Sequence, residues 1–274
     1  MHLKKLRTRV EMSQQQLAKK MNTSQQTIAR WEAGKAALNV NHIKDLCLVL
    51  ECSAEELLGW SAEPEEIRES PFANSNVGIP YGTLRLVMTF GEREYPIDEN
   101  ARSSLLKQIE ALGVMDDRMN EAWIYAWTLN NKTLLINPRH LVKIELISDD
   151  VVEMPDYLNA EIYRSLEQWP HEELGKNMGD KCEQLTEELG EEAIDRLISY
   201  VRTTYKTGND DWSLLDKDVA TEWFKAVAQW FSLKQSSFIQ IKKEGFYQVS
   251  FANLGQIATV EIPTCLYGRL TMPA

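Results

Sequence analysis

Over residues 1–60 the apolar positions recur with a helical period. Leu3, Leu6 and Val10 place one stripe on a first helix. Ser13 precedes Gln14-Gln15-Gln16-Leu17-Ala18-Lys19-Lys20-Met21, and Ser13 with Gln16 forms a capping box. That second helix turns Leu17, Ala18 and Met21 inward. Asn22-Thr23 makes a tight turn, Ser24 caps a third helix over 25–33, and Gly34 ends it. A fourth helix follows Asn39, with Ile43, Leu46, Cys47 and Leu50 inward. Ser53-Ala54-Glu55-Glu56 reads as a second capping box opening a short fifth helix. Two short helices joined by a tight turn have the spacing of a helix-turn-helix.

From Tyr81 the period changes to two. Leu84, Leu86, Met88 and Phe90 alternate with Thr83, Arg85, Val87 and Thr89, as in a strand. Gly91-Glu92 reads as a turn into a strand over 93–97. Asp98 or Asn100 caps a helix carrying Leu105, Leu106, Ile109 and Leu112, stopped by Gly113. Strands follow over 122–128, 133–136 and 140–147, broken at Asn130-Asn131 and Asn137-Pro138. This predicts an α+β unit for which a small Sm-like or SH3-like barrel is a candidate shape. Helical periods return over 161–169, 180–205 and 215–231. Strands close the chain over 237–242, 245–251 and 256–262.

One internal echo stands out. Asn137-Pro138-Arg139-His140-Leu141 aligns with Asn253-Leu254-Gly255-Gln256-Ile257 at an offset of 116, and the likeness continues to Glu145-Leu146 and Glu261-Ile262. Either two half-buried strands look alike by chance, or the body holds two related β units. The expected organisation is a helix-turn-helix domain over 1–60, a linker over 61–80 with three prolines, a small α+β unit over 81–155, and a helical segment with a C-terminal β unit over 156–274. The fold class is multidomain: an all-α head followed by an α+β body of small antiparallel β units and helices.

Charge sharpens this division. The chain of 274 residues carries −11. Residues 1–44 hold nine Lys and Arg against two acids, a net +7, so the remainder carries −18. A basic head on an acidic body fits a protein of which one module touches a polyanion. No apolar run is long enough for a membrane helix, and no secretory signal opens the chain. Four cysteines without a Cys-x-x-Cys pair argue against a disulfide framework or a structural zinc, and a cytoplasmic setting is expected.

The segment Met12-Ser13-Gln14, Leu17-Ala18 and Thr23-Ser24-Gln25-Gln26-Thr27-Ile28-Ala29-Arg30-Trp31-Glu32-Ala33-Gly34-Lys35 resembles the lambdoid repressor and Cro class, the xenobiotic-response-element helix-turn-helix family. The resemblance implies double-stranded DNA as partner. It places Gln14 on a phosphate and against Gln25. Gln25, Gln26 and Arg30 face base edges, Thr27 joins the DNA-binding set, and Lys35 meets the backbone. Arg7 and Glu32 form a structural salt bridge. Two positions depart from the family: Asn22 stands where Gly is usual, and Ala36-Ala37-Leu38 where proline is common. Asn tolerates positive φ, so the turn survives.

Catalytic chemistry is hard to find. His171-Glu172-Glu173-Leu174-Gly175 starts like a zinc-peptidase helix but has Gly where the second His must stand. Asp149-Asp150 and Asp210-Asp211 read as polar turns rather than metal sites. No self-cleavage site, nucleotide loop, catalytic residue, metal or cofactor is indicated. Trp123, Tyr125 and Trp127 form either core or a pocket for a small molecule or peptide. The expected function is a cytoplasmic prokaryotic or phage transcriptional regulator, a repressor by its resemblance. It would be a homodimer or larger even oligomer on a palindromic operator, its body serving oligomerisation, a small-molecule or protein effector, or a partner. The alternative is an antitoxin-type autoregulator whose body neutralises a toxin.

Overall fold

A computed structural model describes residues 2–52, 54–59, 80–114, 123–148, 159–168, 171, 174–228, 238–242 and 249–271. Five helices open the chain: α1 (Leu3–Arg9), α2 (Gln14–Lys20), α3 (Gln25–Glu32), α4 (Val40–Val49) and α5 (Ala54–Leu58). Then come β1 (Pro80–Met88), β2 (Gly91–Asp98), α6 (Glu99–Val114), β3 (Ile124–Trp127), β4 (Lys132–Ile136), a 3-10 turn (Pro138–His140) and β5 (Leu141–Ser148). Three helices follow, α7 (Ala160–Ser165), α8 (Lys176–Leu189) and α9 (Glu191–Ser199). The chain continues through β6 (Tyr200–Tyr205), β7 (Asp210–Leu214), α10 (Lys217–Ala228), β8 (Phe238–Lys242), β9 (Val249–Asn253), a 3-10 turn (Leu254–Gln256), β10 (Ile257–Pro263) and α11 (Thr264–Thr271).

The chain forms two compact units: Met1–Glu66 with Leu158–Ile194, and Ile67–Tyr157 with Asp195–Ala274. These cut across the expected division, which kept 156–274 apart from the head. In the first unit α7 and α8 pack on α4. Lys44 and Asp45 of α4 are buried there. The Lys44 ammonium donates to Ser165 Oγ at 3.0 Å and to Gln168 Oε1 at 2.8 Å. Asp45 Oδ1 accepts from the Met178 amide at 3.0 Å, in the first turn of α8. The N-cap of α8 is Gly175, with no side chain of its own to cap the helix, so α4 supplies the acceptor. A Cβ at Gly175 would stand 2.5 Å from the Asp45 carboxylate, which is why the residue is glycine. The expected linker 61–80 lies outside the described residues except for Pro80, as does Ser53 of the second capping box.

The second unit is built twice over. Strand, strand, helix, strand, strand, 3-10 turn, strand describes β1 to β5 with α6, and again β6 to β10 with α10. In both copies an asparagine holds the 3-10 turn: Asn137 Oδ1 accepts from the Arg139 amide, and Asn253 Oδ1 from the Gly255 amide. In both an arginine faces a glutamate across the same strand pair, Arg85 with Glu145 at 3.3 Å and Arg202 with Glu261 at 3.4 Å. The echo at offset 116 is therefore a structural repeat.

Each repeat makes a three-stranded antiparallel group, β2-β1-β5 and β7-β6-β10, and a two-stranded ribbon, β3-β4 and β8-β9. The first ribbon joins the second repeat's strands, giving a five-stranded sheet in the order β3-β4-β10-β6-β7. Every residue of β4 and β10 is buried. One core packs Leu84, Leu86, Leu105, Leu134 and Ile136 with Ala258 of the second repeat. The other packs Val201, Trp223, Ile239, Val260 and Ile262 with Leu135 of the first. The repeats are further tied by ions. Arg93 of β2 reaches Asp210 at 2.9 Å and Glu261 at 3.4 Å, and the Tyr95 hydroxyl donates to Glu261 at 3.0 Å.

Several expectations are corrected here. The sheets are open and no closed barrel forms, because β3-β4 leaves its own repeat for β10. The helix expected over 180–205 stops at Gly190, where φ is +86°, restarts as α9, and gives way to β6. Asp210-Asp211 opens β7 rather than a turn. The β1–β2 turn is Thr89-Phe90, with Met88 paired to Gly91, two residues before the expected Gly91-Glu92. Asp98 caps α6 through the Ala101 amide at 2.7 Å, and the helix passes Gly113. Leu106 and Ile109 face outward.

Candidate nucleic-acid interface

The interface is set by how α3 is seated. Ser13 and Gln16 make a reciprocal capping box at the start of α2. Asn22 takes φ +49° in the turn, and Ser24 Oγ accepts from the Thr27 amide to start α3. Ile28 and Trp31 are buried, and the Trp31 ring lies 4.7 Å from the His42 ring of α4. With that face fixed, Gln25, Gln26 and Arg30 stand exposed on the other side and Thr27 is half-buried. The Thr27 hydroxyl is 2.9 Å from Ser24 Oγ. Lys35 is exposed just beyond Gly34, whose φ of +67° ends the helix.

Glu32, at the end of α3, joins three helices. Arg7 Nε of α1 donates to its Oε1 at 2.6 Å, and Gln14 Nε2 of α2 donates to its Oε2 at 2.7 Å. Arg7 also donates to the Met12 carbonyl. Burial pushes the Glu32 carboxyl upward, but the Arg7 and Gln14 donors and the charges of Arg7 and Lys4 outweigh it and hold it below the ordinary carboxylate range. Gln14 thus makes its hydrogen bond to Glu32. An amide carries two N–H groups, so one is left over from this bond.

Of the basic residues in the head, Lys4, Lys5, Arg9, Lys19, Lys20, Arg30 and Lys35 are exposed. Arg7 is paired to Glu32, Arg9 to Glu56, and Lys44 is buried. Lys44 and Asp45 were missed by the sequence reading as structural residues. Asn177 adds a contact to the back of α2, donating from Nδ2 to the Lys20 carbonyl at 3.0 Å.

Among the described residues, no group of three His, Cys, Asp or Glu is placed to hold a metal, and no helix is long and apolar enough to cross a membrane. Comparison with family models matches residues 3–57 to the helix-turn-helix family. Neither the curated proteins nor the solved structures yield a match. The matched segment spans α1 into α5, the same residues that seat α3. The N-terminal segment is a helix-turn-helix of the lambda repressor/Cro-like family, which supports a DNA-binding transcription regulator.

Proposed function

We propose that α3 enters the major groove of double-stranded DNA, with Gln25, Gln26, Thr27 and Arg30 toward base edges and Gln14 and Lys35 toward phosphates. The observation that carries this reading is the division of α3: its inner face is locked by Ile28, Trp31 and Glu32, and its outer face is polar and exposed. A glutamine amide matches adenine N6 and N7, an arginine matches guanine O6 and N7, and the Thr27 methyl suits a thymine methyl. Arg7 and Glu32 act from behind, fixing α1 and α2 against α3. The chain then works as a sequence-specific transcription regulator, with two heads on a palindromic operator.

Selection of duplexes from a random pool by the full chain, followed by titration at several salt concentrations, tests this. Affinity should fall steeply with salt as phosphate contacts release counterions. Gln25→Ala and Arg30→Ala should each cost about 1–3 kcal/mol on the selected site and little on random DNA. Lys35→Ala should weaken both alike. No enrichment of any sequence would refute base readout by α3.

A further inference from the structure

The repeats predict what covers two strand edges, those of β5 and β9, that have no neighbour among the described strands. Inside the chain, β4 of the first repeat pairs with β10 of the second. The equivalent of β4 is β9, and the equivalent of β10 is β5. Among the described strands, β5 has only β1 beside it and β9 only β8. Among the described strands the same joint therefore exists once as a made contact and once as two halves not joined to each other.

The side chains agree residue by residue. At the offset of 116, Leu135 corresponds to Phe251 and Ala258 to Val142. The ribbon registers, Tyr125 opposite Leu135 and Gln240 opposite Phe251, carry the match to Trp123 and Phe238, each two residues earlier. At the made joint, Leu135 is fully buried in the second repeat's core, Trp123 packs against that core, and Ala258 is fully buried in the first repeat's core. At the unmade joint, Phe251 is 61%, Phe238 62% and Val142 65% exposed. Exposed aromatic and aliphatic groups of this size on an open edge are a template for strand addition.

Three other edges are guarded, by a helix on β3 and by charged residues or proline on β2 and β7. Gln108 of α6 makes both ladder hydrogen bonds to Tyr125 on β3, donating to its carbonyl at 2.9 Å and accepting from its amide at 3.0 Å. The β2 edge carries Glu92, Arg93, Glu94 and Pro96, and β7 carries Asp210 and Asp211. The geometry also excludes β5 and β9 of one chain from meeting each other. The two cores lie on opposite faces of the five-stranded sheet: side chains at Leu134 and Ile136 enter one core, while Leu135 and Val260 enter the other. The β2-β1-β5 group covers the first core and the β8-β9 ribbon the second, so the sheet stands between them.

We propose that a second copy of this chain occupies each open edge: β9 of one copy adds antiparallel to β5 of the next. Carried over from the made joint, Phe251 lies opposite Ile144 and Ala252 opposite Lys143. The contact is head-to-tail, so copies close into a ring if the rotation returns and extend otherwise. It is independent of the DNA reading, since it is measured without DNA.

Light scattering and sedimentation of the full chain, alone and as two variants, test it. The native chain should be heavier than its 31.5 kDa monomer. Phe251→Asp, blocking one edge, and Val142→Asp, blocking the other, should each be monomeric with unchanged circular dichroism, because both positions are exposed. Mixed in equal amounts they should form a dimer and nothing larger. One intact β5 edge then meets one intact β9 edge, a rescue that no self-complementary interface gives. A monomeric native chain, native mass retained in Phe251→Asp, or a mixture that stays monomeric would each overturn the proposal.

Discussion

The helix-turn-helix core and the duplicated body bury their apolar surface over different distances along the chain. In the head, each of α2, α3 and α4 starts on a capping side chain immediately before it, Ser13, Ser24 and Asn39. In the body, the central strand β10 takes β4 as one neighbour, and the Asn137 side-chain amide donates to the Ile257 carbonyl across the joint. Caps and turns therefore fix the head locally. In the body the decisive fact is which strand is chosen as neighbour. β4 and β9 occupy the same place in their repeats, yet Leu135 is fully buried while Phe251 is exposed.

The sharpest way to break that contrast is to hollow the made joint. Leu135→Ala should remove about 2–5 kcal/mol, the transfer term plus the cavity it leaves. If the units unfold separately, a calorimetric scan should show the body's transition falling and the head's helical transition holding its temperature. A single transition shifting as a whole would show that head and body fold as one, and the comparison would lose its basis.

The same contrast explains what was legible in the sequence. The head's helices and its outward Gln25, Gln26 and Arg30 follow from apolar spacing and caps. Strand β1 follows from alternation, β4 and β5 from the breaks at Asn130-Asn131 and Asn137-Pro138, and the repeat from the Asn137 and Asn253 segments. β6 was hidden because its buried positions include Thr203 and Thr204, which an apolar pattern does not count, while Leu197 and Val201 continue the helical spacing of α9. Lys44 and Asp45 were hidden because their partners, Ser165, Gln168 and Met178, lie more than a hundred residues away. The ribbon's departure to the second repeat, which left the barrel open, has no local signal at all.

Within the head, Glu32→Ala should cost about 3 kcal/mol, because it strands the partly buried Arg7 and leaves Gln14 without its acceptor. Thermal melts of the head's helical signal measure the loss, and DNA titration should weaken with it as α3 loosens. Glu32→Gln keeps an acceptor and should recover part. The pH sign follows from a carboxyl held below its ordinary value. Its stabilisation is complete above the unfolded value of about 4.3 and is lost as pH falls through the lower folded value. An unchanged melt in Glu32→Ala would remove Glu32 from the seating of α3.

Asp45 should give a smaller effect of the opposite sign, and it tests whether the distant helices carry the same logic as the local ones. Burial raises its carboxyl above the ordinary range, outweighing the Met178 and Asn177 amides that stabilise the charge. A raised folded value means that the folded state binds the proton more tightly than the unfolded chain. Stability should therefore decline as pH rises from the unfolded value of about 3.9 through the folded value, and stay lowered above it. Asp45→Asn keeps an oxygen for the Met178 amide and removes the buried charge. At neutral pH the variant should melt at or slightly above the native temperature, and its advantage should shrink in acid. If Asp45→Asn instead melts several degrees lower at neutral pH, the charge at the start of α8 outweighs its burial. The cap that α4 supplies to α8 would then stabilise through its charge at the helix N-terminus, unlike the neutral caps Ser13 and Ser24.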